Sequence, residues 1–120
     1  HKSRAKANEV AEMTIIGDVT DKDVILVDDI VDTAGTICKA ADLMMQNGAR
    51  SVRAVASHAV LSDPATERIN ASALKEMIFT DSIPLRKHSD KIRIVSTASV
   101  FAEAIKRVIN HESISILYSI

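Results

Sequence analysis

The chain has 120 residues, 47% of them hydrophobic and 26% charged, with a net charge of −1, as expected of one globular domain around a single core. That charge excludes the basic field of a nucleic-acid binder, and an aromatic content of 2% removes the stacking platforms of a single-strand binder. No apolar run approaches the roughly 18 residues of a membrane helix, no signal peptide is visible, and a single cysteine, Cys38, allows neither an internal disulfide nor a metal pattern.

The first residue is His1 rather than Met, as in a piece cut from a longer polypeptide. Residues 1–8 carry Lys2, Arg4 and Lys6 with no apolar period and read as a mobile basic arm. Thr14-Ile15-Ile16 predicts a short strand ended by Gly17-Asp18. Val24-Ile25-Leu26-Val27 is a β-favouring apolar run that suits a strand buried on both faces, ending at Asp28. Beyond Asp28-Asp29 the chain reaches Asp32-Thr33-Ala34-Gly35-Thr36, and Ile37, Ala40, Ala41 and Met44 then fall at helical spacing. The helix is expected from about Thr36 to Asn47, with Gly48 as a left-handed cap. Cys38 lies within it as a small buried hydrophobe, which makes a reducing cytoplasm the simplest setting, and Met44-Met45 reads as core filling.

Ser51 to Val60 predicts a second buried strand. Ser62 or Asp63 as N-cap and Pro64 in the first turn open a short helix to about Ser72. Met77-Ile78-Phe79 and Ile92-Arg93-Ile94-Val95 predict two more strands, and Val100, Phe101, Ala104, Ile105, Val108 and Ile109 an amphipathic helix. The tail from Ser113 to Tyr118 begins as polar–apolar alternation, like an edge strand with a capacity for subunit contact. His58, near a strand end, reads as a packed or hydrogen-bonded residue; His88 and His111 show no ligand spacing. Strands alternating with helices predict an α/β fold, a parallel sheet flanked by helices on both faces, in a single domain over residues 1–120. Such sheets bind ligands at the carboxyl ends of their strands, where residues 28–36 lie.

The chemistry of that stretch favours a sugar phosphate. Short side chains let backbone N–H groups close around an anion, and the loop opens a helix whose first N–H groups lack internal partners. Thr33 and Thr36 either add hydroxyl donors or cap the helix. Ionised Asp28 and Asp29 only accept hydrogen bonds, so they suit vicinal sugar hydroxyls or a Mg²⁺ with its waters. A solvated acidic turn followed by an ordinary N-cap is the plainer alternative.

The whole string Val27-Asp28-Asp29-Ile30-Val31-Asp32-Thr33-Ala34-Gly35-Thr36 resembles the PRPP-binding motif shared by type I phosphoribosyltransferases and ribose-phosphate pyrophosphokinases (PRPP synthetases). Ala7-Asn8, Ile16-Gly17-Asp18-Val19, Asn47-Gly48-Ala49, Asp81-Ser82-Ile83-Pro84-Leu85, Ala102-Glu103-Ala104-Ile105 and Glu112-Ser113-Ile114-Ser115 extend the resemblance to the C-terminal portion of the second family. The resemblance implies a phosphoribosyltransferase-like fold and an oligomeric enzyme that moves pyrophosphate from ATP to the 1-hydroxyl of ribose 5-phosphate, giving PRPP and AMP with Mg²⁺. It implies that Asp32, Thr33, Ala34, Gly35 and Thr36 hold the 5-phosphate and that Asp28 binds the ribose hydroxyls with Asp29 close by. Lys2-Ser3-Arg4 aligns with the family's flexible catalytic loop, so residues 1–8 become part of that loop rather than a plain tail. Lys2 would stabilise charge on the transferred phosphates, and Arg4 would help hold substrate. Ser113, Ser115 and Tyr118 match a regulatory site between subunits, although Tyr118 stands where Phe is common. His1-Lys2-Ser3-Arg4 has one basic residue fewer than the family's usual Asp-Lys-Arg-Arg. The family's N-terminal half, which supplies adenine contacts and a Mg²⁺-binding His, is not matched here, so this chain is expected to bind ribose 5-phosphate weakly and turn over poorly or not at all. A transferase that uses PRPP, and a non-catalytic assembly module of the same fold, remain as alternatives.

Overall fold

The computed structural model describes residues 17–118; the expected strand at Thr14–Ile16 and the basic arm of residues 1–8 lie outside them. Four parallel strands, β1 (Asp23–Val31), β2 (Ser51–Ala59), β3 (Glu76–Thr80) and β4 (Ile92–Val95), pair in sequence order. Helix α1 (Gly35–Gln46) joins β1 to β2, α2 (Ala65–Ala71) joins β2 to β3, and α3 (Ala98–Ile109) follows β4. The expected α/β parallel sheet is present, but among the described residues the helices that join its strands lie on one face rather than both, and β1, expected to be buried on both faces, is exposed on the other. No helix of the described residues is long and apolar enough to cross a membrane.

Strand order and handedness together place the core. When parallel neighbours follow one another in sequence, right-handed crossovers all land on the same face. Helices α1 and α2 accordingly pack side by side, and the loop from β3 to β4 crosses the same layer, where the Ser89 hydroxyl donates to Asn70 Oδ1 of α2. Beneath them lie Val52, Ala54, Ala56, Met77, Phe79 and Ile92, packed against Ile37, Cys38, Ala41, Ala65 and Ile69. The alternate residues point the other way. Ile25, Arg53 and Glu76 form one row of that opposite face, and Val27, Val55, Ile78 and Arg93 the next. Among the described residues nothing covers its β1 edge, where Ile25 is 63% and Val27 80% exposed. Helix α3 is amphipathic as expected, yet buries none of its residues; Phe101 is 64% exposed.

Several boundaries differ from expectation for local reasons. Strand β1 runs three residues past Asp28, because β-branched Ile30 and Val31 continue the ladder opposite His58 and Ala59. Neither Ser62 nor Asp63 caps α2: Pro64 occupies the N-cap position, and Asp63 pairs with Lys87 at 2.5 Å. The tail is no edge strand but a 3₁₀ turn over Ser115–Tyr118. Met45 faces solvent while Met44 packs against the core. Gly48 does take the left-handed cap position, with φ 93°.

At the start of β1, Asp23 is gripped by Arg50 (2.5 and 3.2 Å) and by the Ser51 hydroxyl (2.6 Å). Those bonds hold its carboxyl well below the usual carboxylate range, Arg50 contributing most. A depressed folded-state value stabilises the fold above the unfolded value near 4 and is lost as pH falls through the folded one. Thermal melts from about pH 5 downward should therefore show wild type losing its advantage over Asp23→Asn as acidity rises. Phe79, 1% exposed, is part of the buried core; Phe79→Ala should cost about 3–5 kcal/mol in urea unfolding, whereas exposed Val27→Ala should shift it by no more than about 0.5 kcal/mol.

Candidate functional site

Residues 32–36 are the turn from the end of β1 into α1. The chain must leave an extended conformation and enter a helix within three residues, and Ala34 does so with φ 65° and ψ 7°, the left-handed region that non-glycine residues rarely occupy. Ala34 is buried, so the turn is anchored in the core rather than loose on the surface. Its carbonyl accepts the first helical bond, from Cys38 N–H at 3.1 Å. Ala34 is also the N-cap residue, and no side chain caps the helix. Capping was one of the two roles open to Thr33 and Thr36; neither performs it. The N–H groups of the first turn lack intrahelical partners and sit at the positive end of the helix dipole.

This turn encloses a hollow of about 270 Å³ lined by Asp28, Ile30 and residues 31–37. The sequence-predicted set Asp28, Asp32, Thr33, Ala34, Gly35 and Thr36 therefore lies together around one space. Asp29 does not line it. Its N–H donates to Asp28 Oδ1 at 2.8 Å, which fixes the Asp28 carboxylate beside the hollow. Asp28, Asp29, Asp32 and Thr33 are exposed and Thr36 is half-buried, so the polar groups can meet a ligand from solvent. Hydroxyl and amide donors in the turn, with the Asp28 carboxylate as an acceptor beside them, make the hollow complementary to a molecule with an anionic group and adjacent hydroxyls.

The donor set also bears on Mg²⁺. No group of three His, Cys, Asp or Glu side chains that could hold a metal occurs among the described residues. Mg²⁺ is commonly held by one or two carboxylates together with substrate phosphates and waters; the Asp28 carboxylate, which lines the hollow, fits that mode, and the Asp29 carboxylate is exposed outside it.

The other expected positions are apart from this hollow or beyond the description. Lys2 and Arg4 lie outside the described residues. Ser113 and Ser115 hydrogen-bond to each other at 2.8 Å, and Arg107 donates to the Ser113 carbonyl at 3.0 Å; the Tyr118 side chain is outside the description. His58 is hydrogen-bonded, as expected, with Nδ1 2.7 Å from the Ser82 hydroxyl. Cys38 is buried, and burial pushes its thiol up. One contact had no sequence signal: Arg68 of α2 donates from Nη1 to the Thr33 carbonyl at 3.2 Å, across a separation of 35 residues that no local period spans.

A family model described as the phosphoribosyl synthetase-associated domain matches residues 3–119. A Porphyromonas gingivalis protein named ribose-phosphate pyrophosphokinase is 72% identical over 118 residues, covering 98% of this chain and 38% of the relative. Ribose-phosphate pyrophosphokinase 3 of Saccharomyces cerevisiae is 47% identical, again over 98% of this chain and 38% of the relative. The crystal structure of a phosphoribosylpyrophosphate synthetase from Mycobacterium smegmatis superposes with a TM-score of 0.76 at 37% identity, over 80% of this chain and 33% of that one. The chain thus spans little more than a third of the length of the relatives it matches.

The left-handed turn gives a direct test. Ala34→Val forces a β-branched side chain into φ 65° and should cost about 1–3 kcal/mol in urea unfolding, while Ala34→Gly, free of that strain, should stay within about 1 kcal/mol of wild type.

Proposed function

The chain belongs to the phosphoribosyl synthetase-associated domain family, and from that footing we propose that it forms the ribose 5-phosphate-binding part of a ribose-phosphate pyrophosphokinase. The observation that carries this reading is the uncapped, left-handed entry into α1 sharing one hollow with Asp28. The 5-phosphate sits against the N–H groups of residues 34–36 and the Thr33 and Thr36 hydroxyls, where donors and helix dipole favour an anion. Asp32 borders the phosphate end. Asp28 accepts from the ribose hydroxyls, and Asp29 orients it through its own N–H.

In the reaction, the 1-hydroxyl of ribose 5-phosphate attacks the β-phosphorus of ATP, the bond to the departing AMP breaks, and PRPP results. The part of this chain is positioning: holding the phosphate and the 2- and 3-hydroxyls fixes where the 1-hydroxyl points. Asp28, with Asp29 beside it, is the residue that would hold Mg²⁺ through its water shell, and the ion would supply neutralisation of the ATP phosphates. Lys2 would stabilise charge developing on the transferred group, and Arg4 would hold substrate. Ser113, Ser115 and Tyr118 are assigned to a regulatory contact between subunits of an oligomer, and the chain to the C-terminal part of a longer cytoplasmic enzyme that completes the ATP site. Relatives named pyrophosphokinases favour this activity over nucleobase transfer with the same loop.

Isothermal titration with ribose 5-phosphate, with and without Mg²⁺, tests the reading. Saturable binding is expected. Thr36→Val, which removes one hydroxyl donor at constant shape, should weaken it about 10-fold. Asp28→Asn should weaken ribose 5-phosphate while sparing inorganic phosphate. Binding indifferent to these substitutions, or none at millimolar ligand with either this chain or the longer protein, would overturn the assignment.

A further inference from the structure

We propose that Arg68 is a positioning residue for this site: its guanidinium holds the turn at residues 33–35 from behind and so sets the shape of the anion cradle. The proposal rests on the ribose 5-phosphate reading for its ligand, though not for its geometry.

Three observations converge on Arg68. First, Nη1 donates to the Thr33 carbonyl at 3.2 Å. In a turn whose N–H groups face a ligand, the carbonyls point the other way and need their own donors. A guanidinium supplies one without presenting an acceptor that would compete for the ligand's donors. Second, the same Nη1 abuts the next peptide: a Cβ on Gly35 would lie 3.3 Å from it. Arg68 therefore packs against the turn where α1 starts, and a side chain at residue 35 would press on the guanidinium, which would have to give by a few tenths of an ångström. Third, the element that carries Arg68 is itself fixed. Its neighbour Ile69 is fully buried, Asn70 accepts from Ser89, and the chain just past α2 is tied to α1 by the Ala73 N–H donating to Asp42 Oδ1 at 3.1 Å. At the same end Lys91 Nζ donates to the Ser72 carbonyl at 2.8 Å. Arg68 is itself exposed, so the bond to Thr33 and the contact at Gly35 are what hold its head in place, and through them the turn between β1 and α1 is referenced to α2 as well as to its own strand and helix.

The guanidinium also places a permanent positive charge on the side of the turn away from the ligand. Arginine suits this better than lysine, because its planar fork can donate to the carbonyl and still lie alongside Gly35.

Amide hydrogen exchange by NMR and ribose 5-phosphate titration, run on wild type, Arg68→Ala and Arg68→Lys, test this. In Arg68→Ala the Cys38 amide, which donates to the Ala34 carbonyl and so reports on the turn, should exchange about 5–10-fold faster, with Val52 and Phe79 unchanged, which excludes global destabilisation as the cause. The dissociation constant for ribose 5-phosphate should rise by a similar factor, and Arg68→Lys should restore part of both. Unchanged loop exchange in Arg68→Ala overturns the proposal, as does faster exchange with unaltered affinity in a chain that binds. A wild type that does not bind ribose 5-phosphate would sink the functional reading alone, and the exchange data would still decide whether Arg68 sets the turn.

Discussion

The positive φ of Ala34 is the conformation on which the site depends. Without a left-handed residue at that position, β1 could not hand over to α1 within three residues, and the first N–H groups of the helix would not face the space beside Asp28. Left-handed alanine is disfavoured by roughly 1–2 kcal/mol. Burial of Ala34 in the core offsets that cost, and so does the parallel pairing of Val31 with Ala59 just before it. Strain held in place by its surroundings is common where backbone groups meet a ligand.

The two ends of β1 illustrate how charge is divided between stability and recognition. Asp23 at the amino end is saturated by Arg50 and Ser51, so its carboxylate serves the ladder. Asp28 near the carboxyl end has no cationic partner among the described residues, and its one recorded bond is to the neighbouring N–H of Asp29. Lone pairs remain free for a ligand's hydroxyls. One strand thus carries a structural carboxylate and a receptive one, distinguished only by what faces them.

Much of this was legible in the sequence because the signals are local. The apolar run Val24–Val27, the helical spacing of Ile37, Ala41 and Met44, and Gly48 past the helix end each depend on residues within one or two turns, and each element formed where expected. The strand end was misplaced because two adjacent carboxylates look like a stop, while pairing with His58 and Ala59, some 28 residues away, keeps Ile30 and Val31 in the sheet. The Ser113–Tyr118 tail alternates like a strand, but the adjacent bonds of Ser113 to Ser115 and to Arg107 wind it into a turn instead. The hollow was legible as a set of residues, since it is built from one contiguous stretch. The Arg68 contact was not, because nothing in the pattern around Thr33 or Arg68 announces the other.

The sequential strand order has a kinetic corollary. Among the described residues each strand pairs with its neighbour in the chain, and each loop to be closed there is one crossover long. Closure entropy grows only slowly with such loop lengths, although parallel pairing across a crossover is non-local and slower to form than a hairpin. The β1–α1–β2 unit can therefore assemble first and template β3 and then β4, one strand at a time. The ligand-binding turn lies inside that first unit, so closing it is part of forming the first strand pair rather than a later adjustment.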